Sequence, residues 1–360
     1  MGIRQGQYFL SLPTFFASDC KVTKTPESML NRRPLAHYPP SAQLLVLTGI
    51  TLILWFLFTS IGMGLAYVLL GLDTFNNPEL LSSYSDPNAV SGMKLIQTFS
   101  ALGMFVVPPM LLAALASPKM LDWLFLNRKP FPKQAVMAVL VIVAGLPLIN
   151  GMAALNNLLE LPESLQWIET WMRTQENSMA DLTEGLLRMD GPADLAINLF
   201  IIAIIPAIGE ELLFRGAVQR VFLRWVRNPH VAIWITGALF SFIHFQFYGF
   251  LPRMVLGALL GYLVYWTGSL WPAILAHFAN NGFAVLFSYL VQHNIISDQV
   301  EDVGATTNDW LYVLAAIFIV VGLLLALYRG RTGRYADEIV NEPRPPRPWE
   351  QQISSPGKME

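Results

Sequence analysis

Charged side chains are scarce in this chain: they make up 13% of its 360 residues, against about 25% in ordinary soluble domains. Cysteine occurs once, as Cys20, which excludes an internal disulfide and gives no basis for a thiolate metal centre. There is no basic tract and the formal net charge is −2, so nucleic acid is not an expected partner. The patterns of lipid anchors are missing as well. Asp19 precedes Cys20 where bacterial lipidation wants a small residue, and Gly6 stands where myristoylation needs Ser or Thr. Residues 1–40 lack a long apolar core and read as a polar tail, not a cleaved leader.

Apolar residues are abundant, at 54% of the chain, and they come in long blocks. A block of about 20 such residues crosses a ~30 Å hydrocarbon core as a helix. A helix also satisfies its own backbone where no water can. The pattern predicts an all-α, polytopic transmembrane bundle of about eight spans, near 44–71, 93–116, 134–157, 194–215, 230–247, 251–267, 270–291 and 309–328. Nineteen of the 23 Lys and Arg fall on one side of this arrangement, leaving Lys94, Arg173, Arg188 and Arg253 on the other. The positive side is the cytoplasmic one, which places both termini in the cytoplasm.

The organisation expected along the chain is a polar tail at 1–40, three spans and an outer loop within 41–192, a polar-site core at 193–292, an outer loop and last span at 293–328, and a disordered proline-rich tail at 329–360. The longest connection, 158–192, carries Leu165, Ile168 and Met172 on one helical face with Trp167 and Trp171 close by. Such a helix suits the membrane interface. A lid over an outer opening is the alternative.

An ionisable group inside a bilayer costs about 2.5–3.5 kcal/mol on insertion scales and is a functional candidate for that reason. Those singled out are Glu210, Glu211 and Arg215 in the fourth span, His244 in the fifth, and His277 with the polar Asn281 in the seventh. Glu211 and Arg215 are four residues apart and share a helix face, as do His277 and Asn281, and Phe240 and His244. Pro206 lies one turn before Glu210, where its ring frees a backbone carbonyl. If the fourth helix turns at "RNPH", Glu210 and His244 fall at matching depth, whereas His277 is out of step by roughly 10 Å at 1.5 Å per residue. The plain readings are a self-neutralising Glu211–Arg215 pair and histidines that only bond between helices. Gly257 and Gly261 form a GxxxG, read as a close helix approach.

The HExxH and GxSxG arrangements are missing, and no nucleophilic Cys or Ser is in evidence, so water is the expected nucleophile. A glutamate can accept its proton, histidine can share one, and asparagine can hold an oxyanion. Together they point to a hydrolase. "EELLFR" at 210–215, Phe240 to His244 and His277 to Asn281 give EExxxR, FxxxH and HxxxN in order. Over about 194–291 the chain thereby resembles the CPBP (Abi) family of intramembrane proteases, which includes CaaX prenyl endopeptidases and bacteriocin-processing proteins.

The resemblance implies that Glu210 activates water with His244, that His277 and Asn281 hold the oxyanion or the water, and that Glu211, Arg215 and Phe240 shape the site. It also implies a metalloprotease, with Glu210, His244 and His277 as the ligands on offer to a divalent metal such as zinc. That donor set is thin for zinc, and a metal-free mechanism stays open. The expected partners are the lipid bilayer and a membrane-associated protein or peptide substrate, in a bacterial inner membrane. The competing classes are a proton-coupled transporter and a non-catalytic scaffold built on the same cavity. Against a transporter, the polar residues crowd into half of the chain with no inverted repeat. The topology is checked by reporter fusions after residue 360 and within 295–305, which should lie on opposite sides of the membrane.

Overall fold

Most of the long helices start at a proline. Pro40, Pro87, Pro132, Pro192 and Pro229 each occupy a first helical turn, where the missing N–H has no intrahelical acceptor in any case. The computed structural model describes residues 35–36, 38–82, 86–300 and 303–342. The N-terminal tail before residue 35 and the proline-rich end from 343 onward lie outside the described residues. Among the described residues there are helices and turns but no strand.

The principal helices are α1 (Pro40–Leu70), α2 (Pro87–Ala116), α3 (Pro132–Asn157), α4 (Gln166–Leu187), α5 (Pro192–Val226), α6 (Pro229–Phe242), α7 (Phe250–Thr267), α8 (Trp271–Gln292), α9 (Trp310–Arg329) and α10 (Arg334–Val340). Seven of them, namely α1, α2, α3, α5, α7, α8 and α9, are long and apolar enough to cross a membrane. The architecture is therefore that of a polytopic helical bundle.

The fifth expected span differs from the others. Instead of 230–247, α6 has 14 residues, about 21 Å at 1.5 Å per residue. It ends because the chain reverses over 243–249, with Phe245 in the left-handed region at φ 52°. Its entry from α5 is the turn read from the sequence. Arg227 takes the left-handed conformation at φ 55°, and the Asn228 side chain accepts from the N–H groups of His230 and Val231.

Two helices contain wider turns. α2 opens into a π-turn at Leu102–Val106 just before Pro108 and Pro109, and α5 does so at Leu199–Ile204 and Leu212–Val218. The last two flank the Glu210–Glu211 pair. π-Turns inside helices occur frequently at functional sites because they re-aim side chains.

The C-terminal segment is not a disordered tail throughout. Residues 334–340 form α10, which packs back against the bundle through Tyr335 and Ile339. Tyr335 and Ile339, four residues apart, are both 1% exposed, and the Tyr335 ring lies 4.7 Å from that of Phe125. Burial pushes the Tyr335 phenol up to about 12. Glu342 pairs with Arg220 and, at 3.2 Å, with Arg224, while Glu338 pairs with Arg128. An amphipathic face and the basic end of α5 order this stretch, and composition alone does not display that match.

Helices α6 and α7 cross at Gly237 and Gly257. A Cβ on Gly237 would come within 2.9 Å of Ala258 N and of Met254 O, so the crossing depends on bare backbone. Gly237→Ala should therefore lower stability by about 1–3 kcal/mol through overpacking. Gly64→Ala, which meets nothing within 4 Å, should be neutral or stabilising. Thermal unfolding of both variants in detergent checks the contrast.

Candidate active site

Pro206 explains the first contact. It has no N–H to offer the carbonyl four residues back, that of Ile202. Asn281 on α8 donates Nδ2 to this carbonyl at 3.2 Å, and its Oδ1 accepts from Asn280 at 3.1 Å. Asn281 is thus half committed to holding α8 against the disturbed part of α5. One amide hydrogen remains for other work.

Beyond the proline, Glu210 and Glu211 are both buried. Glu211 and Arg215 are both fully buried and pair at 2.5 Å, as their spacing predicts. Arg215 also donates Nη2 to Gly257 O at 2.9 Å and lies over the Phe240 ring, 4.6 Å from its centroid. Glu211 has a second partner. The same Oε1 accepts from His277 Nδ1 at 2.9 Å. A carboxylate can only accept, so this bond fixes the proton on Nδ1 and leaves the Nε2 lone pair free. That nitrogen faces Glu210 Oε2 at 3.8 Å.

The expected offset of about 10 Å at His277 is absorbed by unequal turns. α5 runs eleven residues past Arg215 to its end, whereas α8 begins six residues before His277. The α5–α6 turn therefore lies farther from the site than the α7–α8 turn.

His244 is held by the end of α6. Its Nδ1 donates to Phe240 O at 2.7 Å, and its described bonds do not include Glu210. Glu210 instead has His277 as its neighbour. The link between the two histidines is the Phe240 ring, which meets His244 at 5.1 Å and His277 at 5.8 Å, both edge-on. Both imidazoles have Nδ1 tied to an acceptor and Nε2 open, the pattern found behind metal ligands. Yet among the described residues no group of three or more His, Cys, Asp or Glu is placed to hold a metal ion. As placed, Glu210, His244 and His277 do not gather into the ligand set that the family resemblance implied.

Sequence reasoning missed what holds His244. The short stretch after it, 245–249, is clamped from three helices. Asn156 of α3 donates to Phe247 O at 3.1 Å and to Tyr248 O at 2.5 Å. From α4, Glu176 accepts from Tyr248 N at 3.1 Å, Trp171 packs on Phe247 and Arg173 lies over the Tyr248 ring. Arg253 of α7, counted from the sequence among the outer cations, donates to Gln246 Oε1 at 2.6 Å. Its charge is felt electrostatically by both Glu210 and His244.

α4 is thus docked against the turn after His244, while Trp167 is 73% exposed. Its first turn is pinned by Glu169, whose carboxyl is held below the ordinary glutamate range by the Leu161 N–H and then by Arg173. The available signal was an arginine and an asparagine at the ends of apolar runs.

Fold and site together define a multi-pass helical membrane protein with a buried carboxylate–imidazole–guanidinium cluster. Residues 192–283 match the family model described as Rce1-like, type II CAAX prenyl endopeptidase Rce1-like. That segment bears out the resemblance to the CPBP, or CAAX protease, family read from the three motifs. The uncharacterized protein YpbD of Bacillus subtilis (strain 168) is 28% identical over 85 residues, 22% of this chain and 40% of that protein. The chain therefore spans 40% of the length of this curated relative. No solved structure matches.

The shared Glu211 carboxylate makes a distinct stability prediction. Glu211→Gln keeps an acceptor for His277 but leaves the Arg215 charge unpaired, which should cost about 3–5 kcal/mol and lower the folded yield. Adding Arg215→Gln should restore much of it, because removing both partners of a buried pair often costs little. Gel filtration of the three proteins measures the yields.

Proposed function

We propose that this protein is an intramembrane endopeptidase that hydrolyses a peptide bond in a membrane-associated protein or peptide. The observation that carries the reading is the buried contact of His277 with Glu211 at 2.9 Å and with Glu210 at 3.8 Å across two helices. A separation of 3.8 Å is too long for a direct hydrogen bond and suits one water bonded to both groups.

In this reading Glu210 takes a proton from that water as its oxygen attacks the carbonyl carbon. The carbonyl π pair moves to oxygen, and the remaining amide hydrogen of Asn281 stabilises the charge. When the tetrahedral intermediate collapses, the C–N bond breaks and the proton on Glu210 passes to the leaving amine. His277 steadies the water through Nε2, while Glu211 and Arg215 hold His277 in its tautomer. His244 supplies a second open Nε2 at the rim, anchored by the clamp on 245–249. No step is drawn through a metal. A metalloprotease would need His244 to move towards Glu210 and His277, and loss of turnover on dialysis against a chelator would favour that version.

The family model names a prenyl endopeptidase, and the proposed substrate class is accordingly a peptide presented at the bilayer, with a bacterial cell membrane as the setting and both termini in the cytoplasm. Glu210→Gln keeps size and hydrogen bonding but removes the base. Turnover should fall 10²–10⁴-fold with folded yield retained, as is typical for loss of a general base. Proteomics of membrane fractions containing the wild type or this variant would show the substrate as protein termini that appear with the wild type alone. The same termini at the same rate with a folded Glu210→Gln protein would overturn the hydrolase reading.

A further inference from the structure

Three chain segments are tied together at the end of the bundle where Lys and Arg gather, remote in sequence from the Glu210 cluster. Ser269 Oγ donates to Arg128 O at 2.5 Å, Thr332 N to Trp266 O at 2.8 Å and Gln134 Nε2 to Gly330 O at 3.1 Å. Between these segments lies a cavity of about 240 Å³ bordered by Arg128, Lys129, Gln134, Thr267, Thr332 and Arg334. Its lining holds three cations and no carboxylate.

Two of the three cations are not spent elsewhere. Lys129 and Arg334 are exposed and make no ion pair among the described residues. Arg128 pairs with Glu338 through Nη2 only, while its Nη1 is buried without a hydrogen-bond partner. One unpartnered N–H, on Arg128, and one hydroxyl, on Thr332, which already donates to Trp266 O at 3.4 Å, approach the same point. At Gly268, with φ 69°, the place a Cβ would occupy is 3.2 Å from Thr332 Oγ1 and 3.7 Å from Arg128 Nη1. Topology signals alone put Lys and Arg on a cytoplasmic face. They do not by themselves require a walled cavity free of acids, or an orphaned guanidinium N–H beside a hydroxyl.

The level of the cavity indicates the ligand. α3 begins at Pro132, α7 ends at Thr267 and α9 ends at Arg329, so three apolar runs stop around it. Phe131 and Tyr328 are exposed on its flanks, as aromatics are at the headgroup level. At about 240 Å³ it is smaller than the ~300–1,000 Å³ of sites for drug-sized molecules. We infer that this cavity binds a phosphate group, either the headgroup of an anionic phospholipid or free inorganic phosphate. Guanidinium forks and ammonium groups suit phosphate oxygens, and basic pockets between spans take anionic headgroups. The site is independent of the proposed peptidase chemistry.

Native mass spectrometry of the full chain in detergent tests this, with dioctanoyl phosphatidylglycerol, dioctanoyl phosphatidylcholine and inorganic phosphate as probes. The wild type should retain one phosphatidylglycerol in preference to phosphatidylcholine. Lys129→Gln with Arg334→Gln should weaken that binding roughly 30-fold, about fivefold for each charge removed, with an unchanged melting temperature. Displacement of the lipid by inorganic phosphate at comparable concentration would assign the site to free phosphate, and persistence of the lipid would assign it to the headgroup. Equal phosphatidylglycerol affinity in the wild type and the folded double variant would overturn the inference.

Discussion

The polar interior of this bundle depends on one carboxylate oxygen. Glu211 Oε1 is bonded both by Arg215 and by His277. A buried charge left alone would be prohibitive, whereas a paired and hydrogen-bonded one can be carried. The Arg215 guanidinium then fixes a carbonyl of α7 and presses on Phe240 of α6. His277 fixes α8. Four helices are oriented through this one group, which leaves the neighbouring Glu210 free of a tight partner.

The adjacent glutamates are therefore not duplicates. A helix turns each residue by about 100° from the last, so one side chain looks into the Arg215 pair and the other towards the His277 Nε2. The π-turns on either side of the pair, together with Pro206, break the regular ladder where Asn281 can take over a freed carbonyl. Irregular backbone of this kind is tolerated at membrane depth only where other protein groups satisfy it. Here the satisfying group and the strained segment lie on different helices, which locks α5 to α8 beside the site.

Two outer layers act on this centre from opposite ends. At one end, α4 and the end of α3 grip the turn that follows His244, so the position of that imidazole depends on residues more than 60 positions away in the chain. At the other, α10 and the residues after it fold back through Tyr335 and Glu342 onto the basic end of α5. Fold, site and rim thus rely on the same device, a buried or half-buried cation satisfied by oxygen acceptors, several of them from other segments of the chain.

Local chemistry determined a good part of this from the sequence alone. Long apolar runs marked seven of the eight expected spans, Arg227–Pro229 marked the α5–α6 turn, and four-residue spacing put Glu211 beside Arg215. Each of these is a short-range consequence of helix geometry. What lay beyond reach involved partners without a fixed spacing. The bond from His277 to Glu211, the contact of the Phe240 ring with His277, the clamp by Asn156, Glu176 and Arg253, and the docking of α10 all join segments distant in the chain. Which face of one helix meets which face of another is decided by packing, with close approaches such as Gly237 on Gly257. Periodicity names the residues on a face, but only the crossing of two helices decides which of them touch.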